Sequence, residues 1–116
     1  MRTEADAAYA ARDWALAAAR LRALADLNPQ DAGLRFRLGN ALVRAGRLEE
    51  AIAAYSDSLR LEPAQPKAQH NRGVAHLRLA SASLGQAAAL TSEPDIAERA
   101  AAMVRAVDAL LEPDAP

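Results

Sequence analysis

The chain has 116 residues, of which 52% are hydrophobic and 25% are charged, and its formal net charge is −1. This length accommodates one domain, and the alanine-rich apolar composition is typical of closely packed helices. The absence of cysteine excludes disulfides and thiolate metal sites. No basic segment followed by an apolar stretch opens the chain, and no run of about 18 apolar residues occurs. We therefore expect neither a signal peptide nor a membrane span, and a cytoplasmic location.

A spacing of 34 residues recurs through the first half of the chain. The matched pairs are Pro29 and Pro63, Trp14 and Leu48, Ala17 and Ala51, Leu21 and Tyr55, and Leu27 and Leu61. A fixed period of this length indicates an array of helical repeats. We divide the chain accordingly and take the copies in order.

The first copy, residues 3–31, is shorter than the second. Thr3 followed by Asp6 matches a capping-box pattern, so a helix is expected from Glu4 to about Arg12. Asp13 is expected to cap the second helix of this copy.

That second helix ends at Asn28-Pro29, because proline cannot continue it. Trp14, at its start, corresponds to Leu48 in the next copy. Since apolar residues at helical spacing are usually core residues, we expect Trp14 to pack in the core.

The second copy, residues 32–65, has the best-formed pattern. Its landmarks are Leu38, Gly39, Leu42, Gly46, Ala51, Tyr55 and Pro63. This order resembles the tetratricopeptide repeat, although Arg35 stands where that family has its leading Trp. Gly39 and Ala51 are small enough for two antiparallel helices to cross closely, and Gly46 suits the turn between them. The resemblance implies a right-handed superhelix of antiparallel helix pairs, which binds protein partners in a concave groove.

The third copy, residues 66–93, begins in register and then departs from the pattern. Pro94 comes 31 residues after Pro63, so three residues are missing where the turn between the helices is expected. An apolar stripe continues through the gap and favours one fused helix; its residues are Gly73, Leu77, Ala80, Leu84 and Ala88. Ser81, Ser83 and Gly85 lower helix propensity and leave a break open as the alternative.

A last helix is expected over residues 94–111, with Ser92 as its cap, Pro94 in its first turn, and residues 112–116 as a tail. Its apolar stripe consists of Ile96, Ala100, Met103, Val107 and Leu110. One interpretation is a capping helix that covers the end of the array. The alternative is a seam for self-association into a homodimer.

Charge is unevenly distributed along the chain. Residues 32–80 carry eight basic and four acidic side chains (+4), whereas residues 81–116 carry two basic and six acidic ones (−4). Most of the positive charge lies on the first helices of the second and third copies. In the tetratricopeptide family those helices line the groove.

Helical spacing then selects candidate partner-binding residues on the face opposite the Leu38–Leu42 seam. They are Tyr9, Phe36, Arg37, Asn40, Val43, Arg44, Lys67, His70, Asn71, Val74 and Arg78. Asn side chains can bond a peptide backbone and Arg can grip carboxylates, so an acidic peptide or a free C-terminal carboxylate is the expected ligand. The alternative is that these side chains are only a solvated helix face.

Some tetratricopeptide proteins hold chaperone C-termini with a carboxylate clamp. Asn40 and Lys67 stand at positions of that clamp, but Phe36 and Asn71 replace a Lys and an Arg. The sequence therefore does not predict binding of chaperone tails.

No catalytic pattern is present. His70 and His76 are six residues apart and cannot form a metal pair at i, i+4, and no phosphate loop or nucleophile elbow occurs. A net acidic chain without an aromatic stacking platform also argues against nucleic acid as a partner. We expect an all-α protein-interaction adaptor over residues 1–116, without catalysis, cofactor or metal. The alternative is a structural or oligomerisation module, as part of a longer protein.

Overall fold

A computed structural model describes residues 2–112, and over this range the chain forms six α-helices and no β-strand. The helices are α1 (Arg2–Ala10), α2 (Trp14–Leu27), α3 (Ala32–Arg44), α4 (Leu48–Leu61), α5 (Pro66–Leu90) and α6 (Pro94–Leu111). The predicted all-α class is confirmed. The chain divides into two compact units, Met1–Ala75 and His76–Pro116, with the boundary inside α5.

Consecutive helices of the first unit pack antiparallel. The Glu4 carboxylate near the start of α1 lies 3.5 Å from the Arg20 guanidinium in α2. At the other end of α1 the Tyr9 ring meets the Trp14 ring edge to face, with centroids 4.9 Å apart. Asp13 caps α2 as predicted, because its side chain accepts a hydrogen bond from the Leu16 amide.

The same tight turn joins α1 to α2 and α3 to α4. In both turns an amide donates to the carbonyl five residues earlier: Asp13 to Ala8, and Arg47 to Leu42. The turn needs a left-handed residue, which is Gly46 (φ 79°) in one case and Arg12 (φ 60°) in the other. The expectation that α1 continues to about Arg12 is therefore wrong, since the turn ends the helix at Ala10.

α3 and α4 cross closely at Gly39. A Cβ atom placed there would lie 2.5 Å from Cε1 of Tyr55, so only glycine permits this approach. Tyr55 is 1% exposed. At the start of α3, the buried Ser58 hydroxyl donates to the Ala32 carbonyl at 2.8 Å. The predicted close antiparallel crossing is confirmed, and it forms the centre of the core.

The odd-numbered helices of the first unit run parallel, with contacts between residues 29 to 31 positions apart. Arg2 contacts Asp31 and Arg37 contacts Asp6, which places α1 beside α3 with an offset of about 30 residues. The Asn71 side chain bonds Asn40 with an offset of 31, which places the start of α5 on the other side of α3. Side chains at this spacing in α1 and α3, or in α3 and α5, therefore lie next to one another.

α5 is one continuous helix of 25 residues, so the third copy takes the fused form. The second unit contains the end of α5 together with α6. The Ser81 hydroxyl in α5 donates to the Asp108 carboxylate in α6 at 3.0 Å, and Ala100 is buried. α6 has the predicted bounds, but its cap residue is Glu93 rather than Ser92, and Glu93 makes no side-chain cap bond. Whether α6 closes the array stays a prediction.

Glycine-to-alanine substitutions at equivalent positions of two repeats should have opposite effects. Gly39→Ala forces a Cβ atom into the Tyr55 ring, and we expect the free energy of unfolding to fall by about 1–2 kcal/mol. At Gly73, 34 residues later, an added Cβ atom would enter open space as far as residues 2–112 are concerned. Gly73→Ala should therefore gain up to about 1 kcal/mol from helix propensity.

Urea denaturation followed by circular dichroism measures both changes. Equal effects of the two substitutions, in either direction, would contradict the close crossing at Gly39.

Candidate functional site

The candidate site is the surface of the first unit on which Phe36, Asn40, Lys67 and Asn71 lie, which we call the α3–α5 face. Phe36 and Asn40 are one turn apart on α3, and Lys67 and Asn71 are one turn apart on α5. The 31-residue register sets Phe36 beside Lys67 and Asn40 beside Asn71. Four of the predicted candidates are thus brought together.

A hydrogen-bond network fixes the Asn40 side chain. The Tyr55 hydroxyl donates to Asn40 Oδ1 at 2.6 Å, and Asn71 Nδ2 donates to the same oxygen at 3.1 Å. Both positions for donors on that oxygen are therefore used. Among residues 2–112, Asn40 Nδ2 forms no hydrogen bond, and the side chain is half-buried. Its two N–H donors are left for solvent or a ligand.

The network continues to His70. The Nδ1 atom of His70 lies 3.2 Å from Asn71 Oδ1. Since an amide oxygen only accepts, Nδ1 carries the proton of this bond. His70 is exposed, so the network extends from the buried Tyr55 to the surface.

Tyr55 joins the face to the core. Its ring is tilted against the Phe36 ring, with centroids 6.0 Å apart. Burial raises the pKa of Tyr55 to about 12. The phenol is therefore a neutral hydrogen-bond donor throughout the physiological pH range.

A cleft of about 420 Å³ opens at one end of the α3–α5 face. Its lining consists of Phe36, Gln65, Pro66 and Lys67. The Gln65 amide is directed into the fold, where Nε2 donates to the Ser58 and Glu62 carbonyls at 2.9 and 2.7 Å. The cleft surface is therefore mostly apolar.

Ion pairs reduce the positive charge that the sequence count assigned to this region. The Arg37 guanidinium lies 2.5 Å from the Asp6 carboxylate of α1. Arg44 lies over the Trp14 ring, 5.3 Å from its centroid. Lys67 forms no ion pair within the part of the chain that the structure describes, and it is exposed. Lys67 is therefore an accessible cation of the α3–α5 face that can pair with a carboxylate of another molecule.

Comparison with known proteins adds to this geometry. The tetratricopeptide repeat family model matches the chain over two overlapping ranges, residues 2–68 and 37–112. This chain belongs to the tetratricopeptide repeat family. Membership of this family indicates a role in protein interaction. The recognition that rested on Gly39, Ala51 and Tyr55 is confirmed.

A curated relative gives a more distant comparison. The peroxisomal targeting signal receptor of Candida albicans (strain SC5314 / ATCC MYA-2876) is 38% identical over 58 residues. The match covers 50% of this chain and 10% of the relative. The matched half of the chain thus spans about a tenth of the length of that receptor.

The other candidates of this tetratricopeptide protein have mixed environments. Tyr9 and Val43 pack partly against the core, and Val74 is half-buried. Trp14, which was expected in the core, is half-buried at its edge between Tyr9 and Arg44. Arg78 is exposed and belongs to the second unit. Their roles in binding stay predictions.

The predicted self-association stripe of α6 separates into two rows. Ala100 is buried and Val107 is half-buried within the second unit. Ile96, Met103 and Leu110 are exposed by 44%, 52% and 75%. A row with a seven-residue period is therefore left open to solvent.

Three residues of the site are not among those that the sequence pattern predicts: Tyr55, Gln65 and Pro66. The signal for Tyr55 was available, because a tyrosine in a buried seam needs a hydrogen-bond partner for its hydroxyl. Gln65 had no such signal, since its bonds depend on how the chain turns between α4 and α5.

Residues 2–112 contain neither a cluster of metal-binding side chains nor a membrane-spanning helix. In that range no three His, Cys, Asp or Glu side chains are grouped so that they could hold a metal ion. None of the helices formed there has both the length and the apolar character to cross a membrane. The absence of catalysis stays a prediction.

Proposed function

We propose that this chain is a non-catalytic adaptor that binds a protein segment, extended or helical, on the α3–α5 face. The observation that supports this most directly is the state of Asn40. Its oxygen is occupied by Tyr55 and Asn71, whereas its Nδ2 group has no partner in the described residues. Since no fully buried side-chain nitrogen lacks a partner among residues 2–112, this group is accessible to solvent or to a ligand.

Peptide backbones offer the chemistry that such a donor needs. Main-chain carbonyls accept hydrogen bonds from Asn side chains, independently of the peptide sequence. Because two internal bonds already fix the Asn40 rotamer, little side-chain entropy is lost when a ligand binds. Preorganisation of this kind favours a short ligand.

The preference for an acidic segment rests on Lys67 and, at a greater distance along α3, on Arg44. Both cations lack a carboxylate partner among residues 2–112. The resemblance to a receptor for a targeting signal supports recognition of a protein segment in general. Recognition of an acidic segment, or of a free C-terminal carboxylate, is our proposal.

Substitution of Asn40 by Asp separates binding from folding. A carboxylate at this position would keep an oxygen for Tyr55 and Asn71 but lose both outward donors and add a negative charge. We expect Asn40→Asp to weaken binding of a selected peptide at least tenfold, with helicity and thermal unfolding close to those of the wild type. Asn40→Ala, in contrast, leaves the buried Tyr55 hydroxyl unpaired and should cost about 1–3 kcal/mol of stability.

The ligand for this test comes from a random peptide library displayed on phage and selected on the full chain. Fluorescence anisotropy of the best peptide then gives its Kd for each variant. Gln86→Glu is the matched control, because it makes the same change from amide to acid at an exposed position in the second unit. Failure to enrich any peptide, or wild-type affinity in Asn40→Asp, would contradict the proposal.

Self-association through α6 is a second candidate function. It is favoured by the exposed row of Ile96, Met103 and Leu110. Ile96 and Leu110 lie seven residues on either side of Met103, so an antiparallel pair of α6 helices centred on Met103 is self-complementary. Ala102, Ala106 and Ala109 are small enough to allow a close approach.

If this surface joins two copies, Met103→Glu should produce a folded monomer, because the charge lies at the centre of the seam. Val107→Glu should instead destabilise the second unit, since Val107 is half-buried within it. Analytical ultracentrifugation over a concentration series measures the first effect and circular dichroism the second. A wild-type chain that stays monomeric at all concentrations would contradict self-association.

A further inference from the structure

We propose that the cleft beside Phe36 is an anchor pocket for one large apolar side chain of the bound segment, and that the residue next to this anchor is Asp or Glu, paired with Lys67. The inference rests on the proposed function and specifies its ligand. The carboxylate that pairs with Lys67 belongs to a side chain inside the bound segment and is not the C-terminal carboxylate.

The lining of the cleft selects an apolar anchor. The Phe36 ring, the Pro66 ring and the aliphatic stem of Lys67 provide carbon surface. The remaining lining residue, Gln65, has its amide engaged by the Ser58 and Glu62 carbonyls and by the Ser58 hydroxyl. A polar anchor would therefore be desolvated without a partner, which costs roughly 1–3 kcal/mol.

Contacts with the core and a fixed backbone angle hold the walls of the cleft in place. Phe36 packs against the buried Tyr55 ring, and Gln65 is tied to α4 through Ser58. Pro66 has a fixed φ angle at the start of α5. A volume of about 420 Å³ lies within the range of small-ligand sites, so a side chain such as Leu, Met or Phe can enter a preformed cleft.

Lys67 supplies the charge at the rim. It is the single lysine of the chain, and within residues 2–112 no carboxylate pairs with it, whereas Arg37 of the neighbouring helix is held by Asp6. A lone ammonium on a flexible stem suits a carboxylate that is also on a flexible stem. A terminal carboxylate would need further donors, but Phe36 and Pro66 occupy the adjacent positions.

The register of the face sets the spacing in the ligand. Phe36 and Asn40 are four residues apart on α3, a rise of about 6 Å. An extended peptide advances about 3.3 Å per residue. The backbone group bound by Asn40 should therefore lie about two residues from the apolar anchor.

The test uses peptides enriched from the phage library on the full chain and then synthesised with amidated C-termini. We expect most of them to contain Leu, Ile, Met or Phe directly beside Asp or Glu. Lys67→Glu should weaken their binding at least tenfold, and Lys67→Arg should restore it to within about threefold of wild type. Arg105→Glu is the control for charge, because Arg105 is exposed on α6 and does not line the cleft.

Carbodiimide cross-linking gives a second readout that does not depend on affinity. It joins carboxylates to amines, so in the complex it should link the peptide to Lys67, the one lysine available. Phe36→Leu should keep the fold and weaken peptides with a Phe anchor more than those with a smaller anchor.

Three results would overturn the inference. Peptides that lose affinity in Asn40→Asp but keep it in Lys67→Glu would refute the pairing of an acidic residue with Lys67 and leave the proposed function intact. Peptides that bind only with a free C-terminal carboxylate would refute the side-chain carboxylate. A library that yields no binder, or binders that Asn40→Asp does not weaken, would refute the proposed function itself.

Discussion

The approach of the Tyr55 ring to Gly39 is the contact on which the rest of the first unit depends. A Cβ atom at that position would lie 2.5 Å from the ring, so the spacing between α3 and α4 is available only to glycine. With the ring in this place, the Tyr55 hydroxyl reaches across to Asn40 at 2.6 Å. One close crossing therefore decides both the packing of the core and the position of a polar group on the surface.

From Tyr55 the same geometry extends to the candidate binding face. The ring supports Phe36, and the hydroxyl holds Asn40, which in turn accepts a bond from Asn71 on α5. The buried Tyr55 thus links α4 to α3, and Asn40 links α3 to α5. Side chains that internal contacts already hold in place lose less entropy when a ligand binds. The proposed adaptor function and the proposed anchor pocket both depend on these contacts.

The sequence predicted what depends on local pattern and failed where contacts cross between helices. The 34-residue period and the small residue at Gly39 predicted the family and the helix crossing. The pairing of Arg37 with Asp6, in contrast, depends on the register of α1 against α3, which periodicity does not supply. The predicted end of α1 was wrong because Arg12 adopts a left-handed backbone conformation. In a sequence this conformation can be predicted with ease only where a glycine stands.

The ionisation of Tyr55 tests most directly whether this side chain connects the core to the face. Burial raises its pKa from 10 to about 12, so its contribution to stability is fully present below pH 10 and is lost as the pH rises through 12. In a Tyr9→Phe variant Tyr55 is the one remaining tyrosine, and tyrosinate absorbance follows it alone. We predict a midpoint near pH 12 that coincides with loss of helicity. Ionisation near pH 10 in a chain that stays folded would contradict the account.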